Sequence, residues 1–134
     1  MKNSLHINML FMTFLITVLF SSPFANAQLS TLMQQPLLSE GRQFTLLRIE
    51  LPPMTGNADP EAGHRHPGDT IVYVEKGTVT NQMNNEPVKA YQKGEYWYEG
   101  PNELHAQFRN NNAEETAVVI VFMVNDQDEP LTTR

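Results

Sequence analysis

Short segments in which apolar and polar residues alternate recur along the chain, and turns rich in Gly, Pro and Asn separate them. Alternation with a period of two is typical of β-strands that bury one face. The turns fall about every 8–12 residues, a spacing that favours a β-sandwich or β-barrel. No segment has a convincing amphipathic helical pattern, so we predict an all-β fold. The predicted strands are residues 44–51, 71–74, 78–83, 88–91, 95–99, 104–109 and 117–124.

The first 27 residues have a different pattern. An apolar run over residues 9–20 follows Lys2, and it is shorter than the roughly 20 residues that a membrane-spanning helix needs. Ala25-Asn26-Ala27 then supplies the A-x-A form that signal peptidase cleaves. We therefore predict a secretory signal peptide over residues 1–27, cleaved after Ala27. The resulting protein would be periplasmic or secreted, with no membrane attachment after cleavage.

The rest of the chain divides into three predicted parts. Residues 28–43 are an N-terminal extension, for which we expect loose structure. Residues 44–124 hold all the predicted strands, and their number fits one small β-barrel domain. Residues 125–134 form an acidic, polar tail. We expect this tail to be mobile, because chain ends are poorly ordered unless they are tied down.

The chain is acidic, with a formal net charge of −6, and loss of residues 1–27, which include Lys2 and no acidic residue, would make it −7. Negative charge repels phosphate backbones, so we do not expect nucleic acid as a partner. The chain has no cysteine. Disulfides, thiolate ligands and a cysteine nucleophile are therefore excluded, and a small exported domain must depend on its core, a subunit contact or a metal ion.

Histidine occurs at four positions, and His6 lies in the predicted signal peptide. The exported chain would keep only His64, His66 and His105. Residues i and i+2 of an extended strand face the same side, about 6.6 Å apart, so the rings of His64 and His66 point the same way. His105 follows a turn at the start of another predicted strand, from which a third ring can converge on the same metal ion. Imidazole is a suitable ligand for zinc, copper, iron or nickel.

The two segments that contain these histidines resemble the two motifs of the cupin superfamily. The first, "GHRHPGDTIVYVEKG" at residues 63–77, has the H-x-H pair, the Pro-Gly that often follows it and a closing glycine. The second, "GEYWYEGPNELHAQFRN" at residues 94–110, has an opening glycine, His105 and a nearby asparagine. The resemblance covers about residues 44–124. It implies a jelly-roll β-barrel, often dimeric, with a divalent metal ion inside the barrel on the three histidines.

The chain departs from this pattern at the glutamate ligand of the first motif. Thr70 stands where many cupins place that glutamate, and Asp69 lies one position early, where a strand residue faces the opposite side. Glu99, six residues before His105 in sequence, is a second candidate carboxylate. It would bind the metal or act as a general base if it faces the barrel mouth; alternatively it is a solvent-exposed rim residue. We favour a plain three-histidine site with open positions for water.

Two functions fit this site. The first is a metal-dependent enzyme, an oxygenase or isomerase acting on a small molecule, with Glu99 as the candidate catalytic residue. The alternative is a module that binds or senses a small molecule or metal without turnover. A barrel with no metal would bury three imidazoles together at a desolvation cost, and we rank it last. The expected cofactor is a divalent iron, manganese, zinc, nickel or copper ion, and the expected partners are a small-molecule ligand and a second copy of the chain.

The cluster Tyr96-Trp97-Tyr98 lies beside the site in sequence. Its rings would either line a ligand pocket or fill a core or a dimer interface, and the second use is the more common one for such residues. Arg65 lies between His64 and His66 and therefore faces the other way, toward solvent or an acidic partner.

Overall fold

A computed structural model describes residues 26–37 and 41–134. The predicted signal peptide lies outside the described residues except for its last two, so export stays a prediction, as does the homodimer. The described residues form ten β-strands and one short 3-10 helix at Pro60–Ala62. No helix among them is long and apolar enough to cross a membrane. The strands are β1 Gln28–Pro36, β2 Arg42–Leu51, β3 Gly56–Asn57, β4 His64–Arg65, β5 Asp69–Lys76, β6 Thr78–Met83, β7 Lys89–Gln92, β8 Tyr96–Glu99, β9 Leu104–Arg109 and β10 Ala117–Asp126.

These strands form two antiparallel sheets. The first sheet has the order β1-β2-β10-β5-β8, and the second has the order β3-β9-β6-β7, with β4 paired to β9. Strands distant in sequence, such as β2 and β10, are neighbours in the first sheet, so the chain crosses repeatedly between the sheets. The architecture confirms the predicted all-β class, and all seven predicted strands are present within a few residues of their expected ends.

The core lies between the two sheets and follows from the alternation in the sequence. In β5, Thr70, Val72 and Val74 are buried, whereas their neighbours along the strand are exposed. In β10, Val119, Val121 and Met123 face the same interior. Alternating burial leaves one face of each strand for the core and the other for solvent. The same rule decides which side chains of the strands can reach a site inside the barrel.

Two segments differ from expectation. Residues 28–36 are not loosely structured but form β1, which pairs with β2 along nearly its whole length. Every residue of β1 is exposed, so backbone hydrogen bonds at a sheet edge hold it rather than burial of apolar side chains. The expectation of a mobile tail was also wrong, because Thr133 forms an antiparallel bridge with Arg65 of β4 and Leu131 packs against the core.

Candidate metal centre

The second sheet brings the three histidines together. His64 on β4 lies directly opposite His105 on β9, and His66 follows two residues after His64 in the connection to β5. The ring centroid of His64 is 4.8 Å from that of His66 and 5.0 Å from that of His105. One ring nitrogen of each histidine lies within 4.8 Å of those of the other two. The predicted convergence is therefore present, while the role of these residues as metal ligands stays a prediction.

The C-terminal tail fixes the orientation of His66. Its Nδ1 lies 2.8 Å from the carbonyl oxygen of Leu131. A carbonyl only accepts hydrogen bonds, so Nδ1 carries the proton and Nε2 presents a lone pair. That Nε2 lies 3.2 Å from Nε2 of His64. An outer hydrogen bond of this kind is the usual way in which a protein sets the tautomer of a metal-binding histidine.

Glu99 lies inside the site, so the solvent-exposed rim alternative was wrong. Its residue is 1% exposed, and on β8 it is paired directly with Thr70 of β5. The indole Nε1 of Trp97 donates a 2.7 Å hydrogen bond to Oε1 of Glu99. Oε1 also lies 3.3 Å from Nδ1 of His105, and Oε2 lies 3.3 Å from Nε2 of His66. The carboxyl group is therefore adjacent to two of the three imidazoles.

The other candidate carboxylate, Asp69, faces away from the site. It is exposed on β5 and accepts a hydrogen bond from the hydroxyl of Tyr98, as the alternation of strand faces predicted. Thr70 is fully buried and faces inward, but its neutral hydroxyl is not a substitute for a carboxylate. Of the three candidate positions, Glu99 alone places a carboxyl group inside the site.

Burial shifts the pKa of each ionisable group in the site toward the neutral form. Desolvation, with help from the neighbouring imidazole of His66, lowers the pKa of His64 to about 4. Desolvation and the two other histidines lower the pKa of His105 to about 3, and desolvation also lowers the pKa of His66. Desolvation raises the pKa of Glu99 to about 7, although the hydrogen bond from Trp97 opposes this shift. Near neutral pH the imidazoles are therefore neutral, the form that is able to bind a metal ion.

Several buried polar atoms in the site have no hydrogen-bond partner. Within residues 26–37 and 41–134, Oε2 of Glu99 and both ring nitrogens of His105 lack a hydrogen-bond partner. An unpaired buried polar atom costs about 1–3 kcal/mol, and a cation can satisfy several such lone pairs at once. Two nitrogens that each lie about 2.0–2.1 Å from a tetrahedral metal ion are about 3.4 Å apart, close to the 3.2 Å between Nε2 of His64 and Nε2 of His66, and the three rings together would have to close from separations of up to 4.8 Å. The residues therefore fit a divalent metal ion.

A cavity of about 390 Å³ opens beside these groups. Apolar side chains of the first sheet, including Leu47, Val72 and Val121, form much of its wall. Two further contributors come from the chain ends, namely Leu29 of β1 and Leu131 of the tail. Sequence reasoning missed both because neither lies in a motif or in a segment with a buried alternating pattern.

The aromatic cluster of β8 divides between the two sides of its sheet. Trp97 is buried in the core, within 6.4 Å of the ring of His105 by centroid distance. Tyr96 and Tyr98 are 69% and 54% exposed on the outer face. Arg65 also faces outward, as predicted, and its guanidinium donates to the carbonyl oxygen of Asn102.

Comparison with known proteins gives a consistent result. A family model described as the cupin domain matches residues 49–131, and no curated protein sequence matches the chain significantly. Similar solved structures include a cupin 2 domain-containing protein from Halorhodospira halophila, 21% identical, with a TM-score of 0.63 and coverage of 81% of this chain and 70% of that one. A cupin-like protein from Thermotoga maritima is also 21% identical, with a TM-score of 0.57 and coverage of 80% and 74%.

A third similar structure is DMSP lyase DddQ from Ruegeria pomeroyi, 15% identical with a TM-score of 0.63. The match covers 89% of this chain but only 57% of the lyase, so the chain spans little more than half the length of that enzyme. Identities this low show the fold alone, a β jelly roll.

Proposed function

The chain belongs to the cupin family, as its two histidine motifs indicated, and from this premise we propose that it binds one divalent metal ion through His64, His66 and His105. The observation that carries the proposal is the convergence of three imidazoles, each with a ring nitrogen within 4.8 Å of those of the other two. Nε2 of His64 and Nε2 of His66 are 3.2 Å apart, and the ring nitrogens of His105 have no hydrogen-bond partner among the described residues. Neutral imidazole is the form that binds metal, and burial keeps all three rings neutral.

We further propose that the site is catalytic and acts on a small molecule, as an oxygenase or isomerase. A bound divalent ion with open positions would supply Lewis-acid polarisation of a ligand atom. Glu99 supports catalysis over mere binding through its position, because its buried carboxyl group lies 3.3 Å from ring nitrogens of both His66 and His105, where it would be able to accept or return a proton of a ligand on the metal. The indole of Trp97 holds Oε1, which leaves Oε2 as the atom that accepts or returns a proton. DMSP lyase DddQ has a similar fold. This similarity supports only the view that the fold is compatible with catalysis.

Metal analysis of protein purified without a histidine tag tests the proposal. We expect one iron, manganese, zinc, nickel or copper ion per chain. The identity of the metal that gives full occupancy will narrow the range of reactions that the site could catalyse. Protein without metal that also fails to bind each of these ions more tightly than about 0.1 mM would rule out the metal site. A chain that holds one ion but turns over none of a panel of diketones, phenols and thiols would favour the binding or sensing module instead.

The contact between the tail and His66 gives a second prediction. The N–H of Thr133 donates to the carbonyl oxygen of Arg65 at 2.9 Å, and this bridge holds the carbonyl of Leu131 against His66. Thr133→Pro removes the donor N–H and with it one of the two backbone hydrogen bonds of the bridge, which loosens the tail contact. We expect metal affinity, measured by isothermal titration calorimetry, to fall about tenfold, since loss of outer partners of metal ligands costs 10–100-fold.

Thr133→Ala is the matched control for this prediction, because it keeps the backbone N–H and removes only the side chain. Its metal affinity is expected to stay within about twofold of that of the original chain. Equal affinities for the proline and alanine variants would show that the tail does not orient His66.

A further inference from the structure

We infer that the ligand of this cavity is a mostly apolar molecule of about a dozen non-hydrogen atoms, with one oxygen head group that carries at most a single negative charge. Its head group would lie against the histidines and its apolar body would fill the rest of the cavity. The position of the head group rests on the proposed metal site, whereas the nature of the body rests on the cavity wall alone.

The first observation is the separation of polar from apolar groups in the cavity wall. The polar groups are the three histidines and Glu99, which lie within contact of one another, and Thr132 beside them in the tail. Every other side chain that lines the cavity is a hydrocarbon, an aromatic ring or a thioether. A ligand therefore meets polar partners at one end and water-excluding surface along the rest of its length.

The second observation is charge. Among the described residues, no Lys, Arg or Asp lines the cavity, and Glu99 is its only carboxyl group. The proposed metal ion would be the only positive charge available to a bound anion. A second carboxylate, a phosphate or a row of hydroxyl groups on the ligand body would be desolvated without partners, at a large cost in binding free energy. Sugars, phosphate esters and dicarboxylates are therefore disfavoured.

The third observation is size and access. The cavity of about 390 Å³ equals the liquid volume of about a dozen water molecules, at about 30 Å³ each. Leu29 lines the cavity and is nevertheless 58% exposed, so it lies where the cavity opens to solvent. Leu29 on β1 and Glu99 on β8 belong to strands at opposite edges of the first sheet, so the far end of a ligand whose head group reaches Glu99 and the histidines would lie near Leu29.

Octanoate and suberate test this inference, because they share one carbon chain and differ by a second carboxylate at the far end. Binding to the metal-loaded protein is followed by the fluorescence of Trp97, the only tryptophan, whose indole is bonded to Glu99 inside the site. We expect octanoate to bind at least about tenfold more tightly than suberate. Equal affinities would overturn the inference.

A charge at the cavity opening gives the reciprocal test. Leu29→Arg places a cation where the second carboxylate would lie and should reduce the preference for octanoate to about twofold or less. Leu32→Arg is the matched control, because Leu32 lies on the same strand, is 51% exposed and does not line the cavity. It should leave the preference unchanged. Loss of the preference in both variants, or in neither, would contradict the placement of the ligand body.

The metal content of each sample is measured alongside ligand binding, so that the inference about the ligand and the proposed metal site can each be rejected independently. One ion per chain with no preference between the acids would overturn the inference and leave the proposed function standing. A preference for octanoate in a chain that binds none of the metals would support the apolar ligand and overturn the metal site.

Discussion

Replacement of His105 by alanine should abolish metal binding while the barrel still folds. His105 is one of the three proposed ligands and lies directly opposite His64 in the sheet. We expect the dissociation constant for the metal to rise by more than about 100-fold, beyond the 10–100-fold effect of outer-shell changes. The cost to the fold is limited, because the variant also removes two buried nitrogens that lack hydrogen-bond partners among the described residues. Metal analysis and calorimetry measure the first effect, and thermal unfolding of the metal-free protein measures the second.

Met83→Ala is the control for this variant. Met83 is the neighbour of His105 on β6, so its removal disturbs the same row of the second sheet without taking a ligand atom. It should keep one ion per chain. Full metal occupancy in the His105→Ala protein would show that the imidazole of residue 105 is not a ligand, and the proposed site would then be wrong.

The strands and the histidine cluster could be predicted because both depend on patterns among residues that are close together in the sequence. Alternation in the segment around Val72 and in the segment around Val121 fixes which side chains face inward, whatever the neighbouring strands are. The pair His64 and His66 lies two residues apart, so its common orientation is also a local property. The family motif then placed the third ring in the same site, which the pairing of His64 with His105 accounts for.

The location of the Glu99 side chain could not be predicted from the sequence, because it depends on which strands pair and in what register. A motif is read along one strand, and along β5 the inward position holds Thr70. The fold places β8 beside β5 with Glu99 directly opposite Thr70, so a carboxyl group reaches the same interior region from the adjacent strand. Sequence alone does not fix that register, and the same residue at the end of an unpaired strand would have been exposed.

The chain ends were mispredicted for a different reason. Segments held by backbone hydrogen bonds have no characteristic side-chain pattern; β1 is of this kind, and the tail combines such bonds with the packing of a single apolar side chain, Leu131. The tail is polar and acidic, but the bridge between Thr133 and Arg65 uses only backbone atoms, as does the acceptor that Leu131 offers to His66. The composition of the tail therefore indicated mobility, although the backbone of the tail forms specific hydrogen bonds that position His66.

The ionisation of the site leads to the last prediction, that metal binding at pH 6 releases about one proton and that this proton comes from Glu99. The pKa of Glu99 is about 7, so at pH 6 the metal-free folded protein holds a proton on this carboxyl group, which a nearby cation would expel. His64 and His105 contribute little, because with pKa values of about 4 and about 3 they are already neutral at pH 6, and burial also lowers the pKa of His66. At pH 8 Glu99 is ionised before the metal arrives, so the release should fall close to zero. Calorimetry in two buffers of different ionisation enthalpy counts the protons.

Glu99→Gln identifies the source of the proton. The amide keeps the size of the side chain and an oxygen that can accept the hydrogen bond from Trp97, but it has no proton to release in this pH range. The variant should therefore bind metal with almost no proton release at pH 6. Release that persists in the variant would come from an imidazole or from a water molecule on the metal, and it would contradict Glu99 as the source of the proton.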